Sequence, residues 1–154
     1  MCGTGAHMNA TNATNVTTSA NVTQLYRALG VGLLFVSGAS LALGYFGISL
    51  LQLDDAIPPA IAYAPSAIAV AELVVSLFVL TPRVPSRPPV MSLNEFWSNP
   101  EMGGKAVVVW FLVEGGGILA AVGYQLTRQP ASAFVIGLSI AAYWWCGPTR
   151  FAKE

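Results

Sequence analysis

Glu72 and Glu114 are acidic residues that stand inside long apolar runs, Pro59 to Leu80 and Ala106 to Thr127. A charged side chain in such a run costs a few kcal/mol on membrane-insertion scales, so a carboxyl there faces a protein interior or a wet cavity rather than lipid. Depth follows from counting, because each helical residue advances about 1.5 Å. Glu72 precedes Leu80 by eight residues and Glu114 follows Lys105 by nine, which puts both roughly 12 to 14 Å from one face of a bilayer. Ser37, ten residues after Arg27, and Ser139, nine before Pro148, fall in the same layer. No Lys or Arg lies at that depth.

Without an internal counter-charge, the two carboxyls either keep their protons or bind a cation, and a pair sharing one proton titrates as a unit. A proton-coupled transporter or a cation channel uses this chemistry: the proton leaves as a cation or organic ammonium arrives. Ser37 and Ser139 would supply neutral oxygens, and Gly115 to Gly117 would leave free volume beside Glu114. The plainer expectation is structural. Each carboxyl then stays protonated on a serine or backbone carbonyl, or meets a basic residue of a partner subunit.

Other chemistry has little support. Cys2 and Cys146 are too far apart in sequence to suggest a disulfide framework or a metal site, and the single histidine, His7, lies near the N-terminus. WCGP (Trp145 to Pro148) carries Thr149 where a dithiol motif needs its second cysteine. No phosphate-binding loop, zinc-protease helix or nucleophile elbow occurs. The expectation is a protein that is not an enzyme, with no cofactor, no metal and no nucleic-acid partner.

The elements that must position the carboxyls follow from composition. Seven basic and seven acidic residues make the chain 9% charged, where a soluble domain carries about 25%. With 55% apolar residues and a mean hydropathy of +0.62, the expected partner is a lipid bilayer. Four uncharged or singly charged runs predict helices at about 28–53, 59–80, 106–127 and 131–148. The first three are long enough to cross a hydrocarbon core, which takes roughly 20 residues, and the fourth is short. The fold class expected is all-α: a polytopic membrane protein with four transmembrane helices in an antiparallel bundle. LDDAIPP (Leu53 to Pro59) and TRQP (Thr127 to Pro130) read as tight hairpins, and Thr81 to Gly104 as a Pro-rich cytoplasmic loop. Within that loop, Ser92 and Glu95 have capping-box spacing for a short interfacial helix bearing Leu93, Phe96 and Trp97, the alternative being an irregular loop throughout. Residues 1–26 read as a mobile polar tail, since Asn, Thr, Ala and Ser cannot bury enough apolar surface to order it.

With four spans, Arg27, Arg83, Arg87, Lys105, Arg150 and Lys153 share one side, and the opposite side holds Arg128, Asp54 and Asp55. The positive-inside rule then places both termini in the cytoplasm, with the protein in the plasma membrane. The Asn-x-Thr matches at Asn9, Asn12, Asn15 and Asn21 are chance products of an Asn/Thr-rich segment. LFVSGASLAL (Leu34 to Leu43) aligns with FLVEGGGILA (Phe111 to Ala120), which suggests a duplicated two-helix unit; Gly/Ala-rich helices also resemble one another without duplication. RALGVGLLFVSGA (Arg27 to Ala39) together with AEL (Ala71 to Leu73) resembles the four-span DoxX-type membrane proteins. That likeness covers a minority of the chain, and the Pro-rich loop departs from the group's pattern.

These readings lead to a small transporter or channel for protons, cations or a cationic solute, acting through Glu72, Glu114, Ser37 and Ser139. The alternative is an accessory or assembly subunit of a larger membrane complex. Either way a homo-oligomer or a membrane partner is expected, since a thin bundle has little interior for two glutamates.

Overall fold

The computed structural model describes residues 6–48 and 58–152, which are helical with no strand among them. The helices are α1 (Ala6–Tyr45), α2 (Pro59–Val74), α3 (Leu93–Ser98), α4 (Gly103–Thr127), α5 (Pro130–Trp145) and α6 (Pro148–Phe151). A π-helical segment, Val75–Leu80, continues α2 and leads into a 3-10 turn at Thr81–Arg83. Three helices are long and apolar enough to cross a membrane, over Asn21–Tyr45, Ala60–Arg83 and Gly103–Thr127. The fourth apolar helix, α5, has 16 residues and is about 24 Å long.

The helix bounds depart from hydropathy where backbone chemistry intervenes. α1 stops at Tyr45, well before Leu53, because Gly47 adopts φ +72°. The amide of Gly47 donates to Gly44 O at 3.1 Å and that of Ile48 to Leu43 O at 2.8 Å. That pair of bonds closes the helix as a glycine-terminated Schellman motif. At its other end α1 runs back to Ala6, so the polar segment that composition assigns to a tail is helical here. Extending an existing helix avoids the costly nucleation step. α5 ends at Trp145 rather than Pro148, because the Gly147-Pro148 pair opens α6. The Leu53 to Pro59 hairpin lies largely outside the described residues.

α4 is the hub, packing against α1, α2 and α5. Half of its apolar window is buried, against 17% in each of the other two spans. Its glycines make this possible. A Cβ at Gly123 would lie 3.1 Å from Ser66 N of α2, and one at Gly116 would lie 3.3 Å from Ala69 O of α2. A Cβ at Gly117 would run into Leu33 of α1 and lie 3.2 Å from Ser139 Cβ of α5. Such close backbone approach widens the van der Waals contact between helices, and interhelical hydrogen bonds add to it. Ser40 Oγ donates to Ala121 O at 3.0 Å, and Gln125 Nε2 donates to Ser40 O at 2.7 Å. Ser66 Oγ and Ser132 Oγ are hydrogen-bonded at 2.8 Å, tying α2 to α5.

These pairings give the directions. Gly32 meets Glu114, and Ser40 meets Ala121 and Gln125, so α1 runs parallel to α4. Ser66 meets Gly123 while Glu72 meets Gly115, so α2 is antiparallel to α4, and Trp110 to Cys146 makes α5 antiparallel too. A duplicated two-helix unit requires these directions, as does any up-and-down arrangement. The halves pack differently, however: α4 and α5 form an extensive interface, and α1 and α2 do not.

The Pro-rich loop is folded onto the helices. Ser92 Oγ accepts from the Glu95 amide at 3.2 Å, and Glu95 Oε2 accepts from the Ser92 amide at 2.9 Å, completing the capping box. Phe96 and Trp97 are buried rather than turned to an interface, with the Trp97 ring 5.6 Å from that of Trp110.

Candidate functional site

The glycine face that draws α2 onto α4 also fixes Glu72. Its Oε2 lies 3.6 Å from the Cβ position of Gly115 and 3.5 Å from that of Gly116. The carboxyl is thus level with the residue next to Glu114. Glu72 Oε2 is buried and has no hydrogen-bond partner. Ser76, in the π-helical segment that continues α2, is fully buried, and its Oγ also lacks a partner. It follows Glu72 by four residues, close to one turn, so the continuous helix carries two unsatisfied oxygens on nearly the same side. Ser76 was not among the sequence candidates; its place four residues after a glutamate inside a long apolar run is the signal that marks it.

Glu114 is half-buried and points the other way. Its Oε1 lies 3.2 Å from the Cβ position of Gly32 on α1. Successive residues of a helix are rotated by about 100°. A carboxyl seated between Gly115 and Gly116 is therefore roughly 150° around α4 from one that projects from position 114. The two glutamates occupy one layer on opposite flanks of α4, separated by its backbone. The structure brings them to the same level without bringing them together.

The two serines behave differently from each other. Ser37 is fully buried with an unpartnered Oγ, on the α1 face that also carries Leu33 and Ser40. Ser139 is equally buried, but its hydroxyl donates to Val135 O at 2.9 Å within its own helix. It stands beside Gly117 as a packing group. A polar clamp also went unmarked by sequence. It is the Ser40 and Gln125 pair on the α1 flank, nearer the Arg128 end.

At the end of the bundle that holds Arg27 and Arg150, aromatic rings close the helices. Tyr26 stacks on Tyr143 with ring centroids 4.7 Å apart, and Trp110 Nε1 donates to Cys146 O at 2.6 Å. Cys146 is a free, buried thiol. Arg128 lies at the other end, over the Tyr124 ring at 5.9 Å.

Comparison with protein-family models, with curated proteins and with solved structures gives no match.

Proposed function

We propose that this chain is an integral membrane protein whose α1, α2, α4 and α5 all cross the bilayer, and that it binds and moves protons or cations at Glu72 and Glu114. The observation that carries the reading is the buried, donor-free Oε2 of Glu72 beside the glycines of α4. An ionised oxygen in that place is not retained by itself: it takes a proton or a cation. Ser76 on the Glu72 side and Ser37 on the α1 flank add unpartnered oxygens. Because α4 stands between the glutamates, each acts as its own site rather than sharing one proton with the other.

The placement in the membrane follows the same logic. α5 is shorter than the roughly 30 Å hydrocarbon core, a mismatch that local bilayer thinning and flanking residues accommodate. Arg27, Arg83, Arg87, Lys105 and Arg150 belong to one end of the bundle, which supports cytoplasmic termini. The competing reading, an accessory subunit that docks a partner through its Pro-rich loop, is less well supported, because Phe96 and Trp97 are spent on the chain's own core.

The test is cation-driven proton movement in proteoliposomes. Wild type is expected to release protons as cation enters, with the exchange abolished by Glu72→Gln and weakened by Glu114→Gln. Absence of exchange in the wild type, or equal exchange in both variants and the wild type, overturns the transport reading.

A further inference from the structure

We infer that the groove at the Arg27 end of the bundle is a binding site for one anionic phospholipid. The inference rests on the membrane placement proposed above and not on the carboxyl chemistry. The groove has a volume of about 860 Å³ and runs between α1 and the α5–α6 corner, with Trp97 of α3 alongside. Ligand sites span roughly 300–1,000 Å³.

Its two walls carry the same polarity gradient. On α1, Thr23 and Arg27 are followed on one face by Gly30, Val31 and Leu34. On the opposite wall, which runs antiparallel, Thr149 is followed by Trp144 and Ile140. The hydroxyls of Thr23 and Thr149 and the Arg27 guanidinium therefore sit at one end of the groove, beside Leu93, Trp97, Pro148 and Ala152, and aliphatic carbon lines the other, the order of groups in a phospholipid. The distance fits as well: the rise from Thr23 to Leu34 is about 16 Å, close to one leaflet of a 30 Å core. Among the described residues lining the groove, Arg27 is the only charged one, and it is exposed. A guanidinium matches a phosphate by paired hydrogen bonds, so the headgroup expected is anionic. Gly30 narrows the floor, because a Cβ there would lie 2.9 Å from the Tyr143 ring.

The experiment uses the full chain in phosphatidylcholine bilayers containing phosphatidylglycerol, with brominated acyl chains on one lipid or the other, and reads quenching of tryptophan fluorescence. Wild type is expected to be quenched by brominated phosphatidylglycerol about fivefold more effectively per lipid than by brominated phosphatidylcholine, the factor one basic residue gives at a membrane surface. Arg27→Gln is expected to remove the preference, and Arg27→Lys, which keeps the charge without the paired hydrogen bonds, to retain part of it. Arg83→Gln, outside the groove, is expected to retain it. No preference in the wild type, or an equal loss in Arg83→Gln, overturns the lipid site while leaving the membrane placement intact. No quenching by either lipid overturns the membrane placement and the site with it.

Discussion

Tyr26 and Tyr143 each donate a hydroxyl hydrogen bond to the other's backbone carbonyl, at 3.1 Å from Tyr26 and 2.5 Å from Tyr143, while their rings stack 6° from parallel. Two antiparallel helices are thereby joined at a single level by a reciprocal pair. Tyr26→Phe and Tyr143→Phe are each expected to cost about 0.5–1.5 kcal/mol. The double variant should cost less than their sum, because either bond holds the ring pose that the other needs. A double-mutant cycle of unfolding in detergent measures the coupling, and strict additivity would refute it.

Gly117 offers a sharper contrast. Alanine there meets Leu33, which is 1% exposed, and Ser139 Cβ at 3.2 Å. Overpacking of this kind costs about 1–3 kcal/mol. Nothing lies within 4 Å of a Cβ placed on Gly38, so Gly38→Ala should be neutral or gain up to about 1 kcal/mol of helix propensity. Adding Leu33→Ala to Gly117→Ala should restore part of the loss. Thermal unfolding of the three variants checks the ranking.

Removing the Gln125 amide leaves the Ser40 carbonyl without the side-chain donor that now lies 2.7 Å away. Gln125→Leu is expected to lower stability by about 0.6 kcal/mol, the average for interhelical bonds in membranes, and by no more than roughly 1.7. Ser40→Ala should weaken the same joint, because Ser40 Oγ also bonds Ala121 O. Denaturant titration of both variants reads the effect.

The α3 cap supplies a pH dependence outside the spans. Hydrogen bonds from Ser92 hold the Glu95 carboxyl below its usual 4.5. A lowered folded value means the unfolded chain binds more protons, so the stabilisation is complete above about pH 4.5 and is lost as pH falls through the lowered value. Hydrogen exchange at the α3 amides should therefore accelerate in acid. Glu95→Gln, which removes the carboxyl that the Ser92 amide holds, should flatten that profile, and an unchanged profile in this variant would remove the cap as its cause.

What could be read along the chain was axial. The extent of α2 with its π segment and the end of α4 follow from the apolar runs, the Ser92/Glu95 cap from its spacing, and the common level of Glu72 and Glu114 from counting residues at a fixed rise. Rotation does not follow from counting, so the separation of the two carboxyls by α4 was invisible. It depends on which glycines face which helix, and Gly115, Gly116 and Gly117 look alike in sequence while they meet Glu72, Ala69 and Leu33 in space. The end of α1 was misjudged for a related reason. Hydropathy continues to Leu53, and one left-handed glycine at position 47 overrides it. Phe96 and Trp97 were assigned to an interface because aromatic residues near a membrane usually anchor there, whereas the loop folds back and buries them.

The hub position of α4 also sets a timetable. α1 and α2 leave the ribosome first, yet neither packs extensively on the other, and each finds its main partner in α4. Until Thr127 has been made, α2 lacks its main native partner and α1 has only its smaller contact with α3, and the glycine face they await is still being synthesised. Substitutions at Gly116, Gly117 and Gly123 should therefore lower the yield of assembled protein, before any effect on what the finished protein does.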